Sequence, residues 1–139
     1  MNAGDGSDRF VEWKYPEIEE GKPTKYNWIV QQVAGLRLGY KTDIGAFTYI
    51  NAKLGVIIED FVQIGSHCSI YSVSTIDDKK GAVVLQKNCR IGSHSVIMPG
   101  VTIGENAVIG AFSFVNHDVP ADTYAYGVPA KVAIRNKRS

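Results

Sequence analysis

From residue 38 onward, aliphatic residues return every sixth position. Leu38, Ile44 and Ile50 open the first three blocks. Ile58, Ile64, Ile70 and Ile76 follow after an interruption, and Leu85, Ile91, Ile97, Ile103, Ile109 and Val115 follow after a second. The fifth position is usually small or β-branched, as in Thr48, Val62, Cys68, Cys89, Ser95 and Ala107. Positions five and one lie two apart across the block boundary, so they share one face of a short strand. Gly follows the opening residue in several blocks, beside the expected corner, where it tolerates unusual backbone angles. Three blocks make one triangular coil of about 18 residues, and coils stack about 4.8 Å apart through parallel ladders. The pattern predicts an all-β single-stranded parallel β-helix of about four to five coils.

The two interruptions predict loops at about 53–56 and 77–82, with Ile76 kept as a prism position. On this register Cys68 and Cys89 are inward core thiols, neighbours on one wall. His67 sits at a corner continued by Asn88 and Asn106, with His94 at the next corner. Residues 1–35 do not follow the repeat. Pro16 and Pro23 break any long helix, and Phe10, Trp13, Tyr15, Tyr26 and Trp28 are too aromatic for a linker. We assign 1–35 to an N-terminal extension and cap with a strand at 26–31, Asp5–Asp8 being disordered. The β-helix domain takes 36–132 and a basic tail 133–139, the chain leaving the prism from about Ala130.

Composition sharpens this picture. The chain has 15 Val and 14 Ile but only 4 Leu, a bias toward strand over helix. Its length of 139 residues suits one domain. A net charge of +1 argues against a nucleic-acid binder. No apolar run reaches the ~18 residues of a membrane span, and the polar N-terminus is no secretory signal, so the expected compartment is cytoplasmic. Two separated Cys give neither a disulfide framework nor a zinc site.

The repeat over roughly 38–135 resembles that of the hexapeptide-repeat acyltransferase superfamily. The stretch IGSHSVIMPGVTIGENAVIGAFSFVNHDVPADTYAYGVPAKV (91–132), with PGVTIG, IGA, DVP and GVPAK in order, is similar to galactoside-type and related sugar acetyltransferases. The resemblance implies a left-handed coil, a homotrimer with clefts between subunits, and acetyl-CoA as acyl donor with no metal. It also implies an acceptor-binding Asn at Asn51 and cofactor contacts at Ser93, Ala111, Asn116, His117 and Lys131. Ser93 and Ala111 take the same block position one coil apart, so they line one vertical groove suited to a pantetheine arm. Lys131, followed by Arg135, Lys137 and Arg138, keeps positive charge where the family binds the cofactor's phosphate end.

One departure stands out. The family's catalytic His lies in a T-x-H loop, and the corresponding stretch here reads STIDDKKGA, without His. Hydroxyl acetylation needs a general base. Asp77 or Asp78 could supply or anchor one from the same loop, or His67 could do so from its corner. An amine acceptor would need little base, Asp77 or Asp78 then orienting it. The expected function is acetyl transfer to a sugar or nucleotide-linked amino sugar, in surface polysaccharide or glycoconjugate biosynthesis. The rival readings are a non-catalytic trimeric scaffold and a γ-class carbonic anhydrase, whose zinc needs three converging His.

Overall fold

The computed structural model describes residues 12–133. They form a left-handed parallel β-helix of triangular section. The first wall stacks β1 (Ile29–Gln31), β4 (Tyr49–Asn51), β7 (Ser69–Tyr71), β12 (Val96–Ile97) and β15 (Phe114–Val115). The second stacks β2 (Leu36–Leu38), β5 (Val56–Ile58), β10 (Val83–Leu85) and β13 (Thr102–Ile103), extended by a bridge from Ile103 to Val119. The third stacks β3 (Asp43–Ile44), β6 (Gln63–Ile64), β11 (Arg90–Ile91), β14 (Val108–Ile109) and β16 (Tyr124–Gly127), all parallel. The opening residues of the blocks meet in register: Ile50, Ile70, Ile97 and Val115 on the first wall, Ile58, Leu85 and Ile103 on the second. Each is almost fully buried. With strands this short, stability comes from these inward columns rather than from any single ladder.

The edges are built differently from the sequence expectation. The glycines after the opening residue do not supply positive φ. That conformation falls two residues later on Phe47, His67, His94 and Phe112 at one edge, and on Phe61, Asn88, Asn106 and Asp122 at another. A left-handed residue with a side chain costs about 1–2 kcal/mol. The ladder holds it in place, since the N–H of His67, His94 and Phe112 each donates to a carbonyl one coil below. Glycine is needed for a different reason: a Cβ on Gly92 would lie 2.4 Å from the Ala111 nitrogen. At the second edge the Asn88 amide donates to Asn106 Oδ1 at 2.8 Å, and the Asn106 amide to Asp122 Oδ1 at 3.1 Å.

The second interruption is larger than the repeat suggests. Ile58 and Leu85 pair across 27 residues, whereas Leu85 and Ile103 pair across 18, so nine residues leave the prism. They belong to a hairpin of β8 (Val73–Ser74) and β9 (Lys79–Lys80) that projects from the edge between the first and second walls. Ile76 lies at its tip, 98% exposed. Counting Ile76 as a prism position shifts every later block by one wall. That single error misplaced the two cysteines and the corner histidines.

The ends are closed. Gly21 N donates to Val30 O at 2.9 Å, and Trp28 is buried at the base. Trp13 Nε1 donates to Thr42 O at 2.9 Å and its ring packs edge-on against Tyr15 and Tyr40. The Glu20 carboxylate accepts from the N–H groups of Gln32 and Val33, which hold its pKa below the usual value. With β1 in the first wall, the β-helix begins inside the segment assigned to the cap. At the other end the chain does not leave as a tail at Ala130. β17 (Ala130–Ala133) folds back antiparallel on β16 after a cis Val128–Pro129 bond, and Ala130 is buried. Asp5–Asp8, Phe10, Arg135, Lys137 and Arg138 lie outside the described residues.

Two isoleucines separate the two registers experimentally. Ile70→Ala should cost about 2–5 kcal/mol in denaturant unfolding. Ile76→Ala should change stability by less than about 0.5 kcal/mol. A large loss at Ile76 would restore it to the core and sink this register.

Candidate functional site

The edge between the third and first walls carries two parallel columns. Ser66, Ser93 and Ala111 stack in one, each directly after a glycine of the floor: Gly65, Gly92 and Gly110. The closeness of the coils is visible at Gly65, where a Cβ would lie 2.7 Å from the Ser93 nitrogen. Ser93 is half-buried and Ala111 exposed, so the column is open to solvent. Ser93 and Ala111 thus stack one coil apart, in a column of small side chains open to solvent.

Beside it runs a ladder of rings. Phe47, His67, His94 and Phe112 follow one another with centroids 5.1, 4.7 and 4.8 Å apart, the upper two pairs stacked nearly parallel. Their shared left-handed backbone points four successive side chains the same way. His67 therefore does not continue into Asn88 and Asn106, which form the amide ladder at the next edge. It stacks directly under His94, and its Nδ1 lies 3.1 Å from Ser66 Oγ. The ladder is legible in the sequence as Gly-x-ring: Gly45–Phe47, Gly65–His67, Gly92–His94 and Gly110–Phe112.

The remaining expected residues lie elsewhere. Asn51 sits at the edge between the first and second walls, where its Oδ1 accepts from Lys53 N at 3.1 Å and from Ser72 Oγ at 3.4 Å. Ser72 is at the root of the projecting hairpin, and its N–H donates to Asn51 O. Asp77 and Asp78 are exposed in the hairpin turn, Asp77 accepting a short hydrogen bond from Ser74 Oγ. Asn116 and His117 are exposed at the top of this same edge, His117 Nδ1 lying 3.1 Å from Asp118 O. Within one chain the candidates thus divide. His67, Ser93 and Ala111 flank the first wall on one side; Asn51, Asp77, Asp78, Asn116 and His117 flank it on the other. Lys131 belongs with the first set, exposed on β17 opposite Tyr126.

The cysteines are not neighbours on one wall. Cys68 stacks between Thr48 and Ser95, and Cys89 between Val62 and Ala107, at different edges. Both are buried. Burial pushes the Cys68 thiol up despite several hydrogen bonds. Burial, with the Glu59 charge as a lesser cause, pushes Cys89 far up. Both shifts disfavour the thiolate at neutral pH. Among the described residues no three His, Cys, Asp or Glu converge as metal ligands, and His117 stands at a different edge from the His67–His94 pair. Among them, too, no helix is long and apolar enough to cross a membrane.

Comparison with known proteins agrees with this geometry. Residues 82–117 match the family model described as bacterial transferase hexapeptide (six repeats). The chain is 37% identical to galactoside O-acetyltransferase of Escherichia coli, over 68% of its own length and 54% of that enzyme's. It superposes on a hexapeptide-repeat acetyltransferase of Vibrio cholerae, solved with acetyl coenzyme A, with a TM-score of 0.75, at 30% identity over 79% of this chain and 65% of that one. It also matches a point mutant of AntD, an N-acyltransferase of Bacillus cereus, solved with dTDP-4-amino-4,6-dideoxyglucose and coenzyme A. That TM-score is 0.57, at 27% identity over 81% of this chain and 73% of that one. Six-residue blocks, glycine-floored edges and inward aliphatic columns define the class of hexapeptide-repeat β-helix proteins. Within that class, the chain resembles the hexapeptide-repeat acyltransferase superfamily. It spans about half the length of the curated relatives it matches.

The raised thiol pKa values give a direct check. At pH 8 the folded protein should react with a thiol reagent far more slowly than the unfolded chain, where both cysteines have ordinary acidity. Rapid labelling of either thiol in the folded state contradicts the core assignment.

Proposed function

We propose that this protein transfers an acetyl group from acetyl-CoA to an amine or hydroxyl of a sugar, with a nucleotide-linked amino sugar as the favoured acceptor. The observation that carries the reading is the open column of Ser66, Ser93 and Ala111 along one edge. A pantetheine arm is long, narrow and amide-bearing, and needs an extended slot with small side chains. The donor's nucleotide end then lies at the top, near Lys131. Its thioester lies lower, toward His67, which is two coils below Ala111 in the same edge.

The divided candidates favour a homotrimer. Both half-sites flank the first wall, so packing around a three-fold axis can bring the hairpin edge of one subunit against the ring-ladder edge of the next. Asn51 and Asp77 or Asp78 from one subunit would then hold the acceptor against the donor bound by its neighbour. The acceptor nitrogen or oxygen attacks the thioester carbonyl and forms a tetrahedral intermediate. This collapses with loss of the CoA thiolate, and the acceptor loses a proton. With an amine bound in its neutral form, nucleophilicity is already present, and an aspartate need only orient it. The absence of His from the hairpin supports this choice, as does the likeness to an enzyme solved with an amino-sugar nucleotide. With a hydroxyl acceptor, His67 is the group suited to take the proton. Asn116 and His117, at the top of the hairpin edge, would reach the neighbour's donor from across the cleft. Products of such a reaction are acylated sugars for surface polysaccharides or glycoconjugates.

Calorimetry with acetyl-CoA tests the donor half. The wild type should bind, and both Ala111→Trp, which fills the slot, and Lys131→Glu should weaken binding about tenfold or more. A well-folded protein that ignores acetyl-CoA would be better described as a scaffold. The shared site has its own test. Ala111→Trp in the donor half and the double change Asp77→Asn, Asp78→Asn in the acceptor half should each lower turnover of an amino-sugar nucleotide. Co-expression of the two variants should recover part of it, because mixed trimers rebuild some intact clefts. No recovery, with mixed trimers demonstrated, excludes a site shared in this way.

A further inference from the structure

We propose that Tyr126, braced by Tyr124, is the stacking platform for the purine ring of the acyl donor. This rests on the donor reading above and assigns a recognition element at its nucleotide end. The two tyrosines alternate along β16, so they share one face of the strand. Their rings lie 5.4 Å apart, tilted by 51°. Tyr126 is 53% exposed, a large surface for a ring on a strand paired along both sides.

Their position gives the surface a purpose. Gly110 is the last floor glycine before Ala111, and the tyrosines crowd it. A Cβ on Gly110 would lie 2.9 Å from Tyr126 Cβ and 3.1 Å from the Tyr124 hydroxyl. The pair thus stands at the upper mouth of the groove, where the donor's arm gives way to its nucleotide. Cross-strand pairing adds a charge. Tyr126 is directly opposite Lys131 in the antiparallel ribbon, so ring and ammonium occupy one face. An exposed aromatic face beside a cation matches two features of an adenosine 3′,5′-bisphosphate unit, a planar base and a phosphate. The strand also has little to lose by forming this contact. A tyrosine ring has few torsions to immobilise, and β16 is already fixed by pairing with β14 and β17.

Three ligands and two variants test the assignment, read by calorimetry on the full chain: CoA, adenosine 3′,5′-bisphosphate, and S-acetylpantetheine. Tyr126→Ala should raise the Kd for CoA by about tenfold or more and abolish detectable binding of the bisphosphate, from the usual strength of a base–aromatic stack. Tyr126→Phe keeps the ring and should bind both like the wild type. Neither change should alter S-acetylpantetheine binding, which has no base to stack. Wild-type CoA affinity in Tyr126→Ala would overturn the proposal while leaving the donor reading intact. An equal loss for CoA and S-acetylpantetheine would overturn it too, by showing a general distortion of the groove. Failure of the wild type to bind CoA at all would remove the donor reading and this assignment together.

Discussion

Every feature of this molecule depends on parallel strands stacking at the spacing of one hydrogen bond. A rise of about 4.8 Å per coil leaves no room for variation along the axis. Inward positions must be filled by residues of nearly constant length, and Ile, Val and Leu at the block openings do this. Floor glycines must stay bare, because a single Cβ at Gly92 would strike the next coil's backbone. Left-handed corner residues are tolerated because the same stacking supplies the hydrogen bond that holds each of them. Conformational cost at the edges and apolar burial in the prism are thus settled by one geometric condition.

The same condition explains which parts of the structure the sequence revealed. The inward columns were legible because a six-residue period with Ile at its head has few other physical meanings. The stacking of Ser93 and Ala111 was legible because both lie after the hairpin, in an unbroken run of repeats. Relations that cross the hairpin were not. Ile76 falls six residues after Ile70 and is aliphatic, so periodicity alone includes it. Only pairing shows that Ile70 stacks under Ile97 and that Ile76 is left outside. That one residue moved Cys89 away from Cys68 and brought His94 over His67. The return of β17 was hidden for another reason: Gly127 and Pro129 mark a turn, but nothing in AKVA shows that it pairs back on β16.

The candidate chemistry follows the edges rather than the walls. Walls are occupied by ladders, and their outward residues are short of freedom. Edges are where a side chain can be added, turned or extended without disturbing the stack. The three edges have separate characters: one with rings and a slot, one with an amide ladder, and one with the projecting hairpin. The first and third border the same wall, so residues drawn from distant repeats frame a single face of the prism.

The capped ends have a further consequence. A stack of identical coils is a template on which another chain could continue, and an uncovered end invites fibre growth. At the base, the segment bearing Gly21 and Trp28 lies across β1. At the top, β17 turns the third wall back on itself, and β15 offers only Phe114–Val115 as an open strand. A chain whose repeats would otherwise propagate without limit is thereby kept to a finite length. Little free strand is left at either end on which another copy could continue.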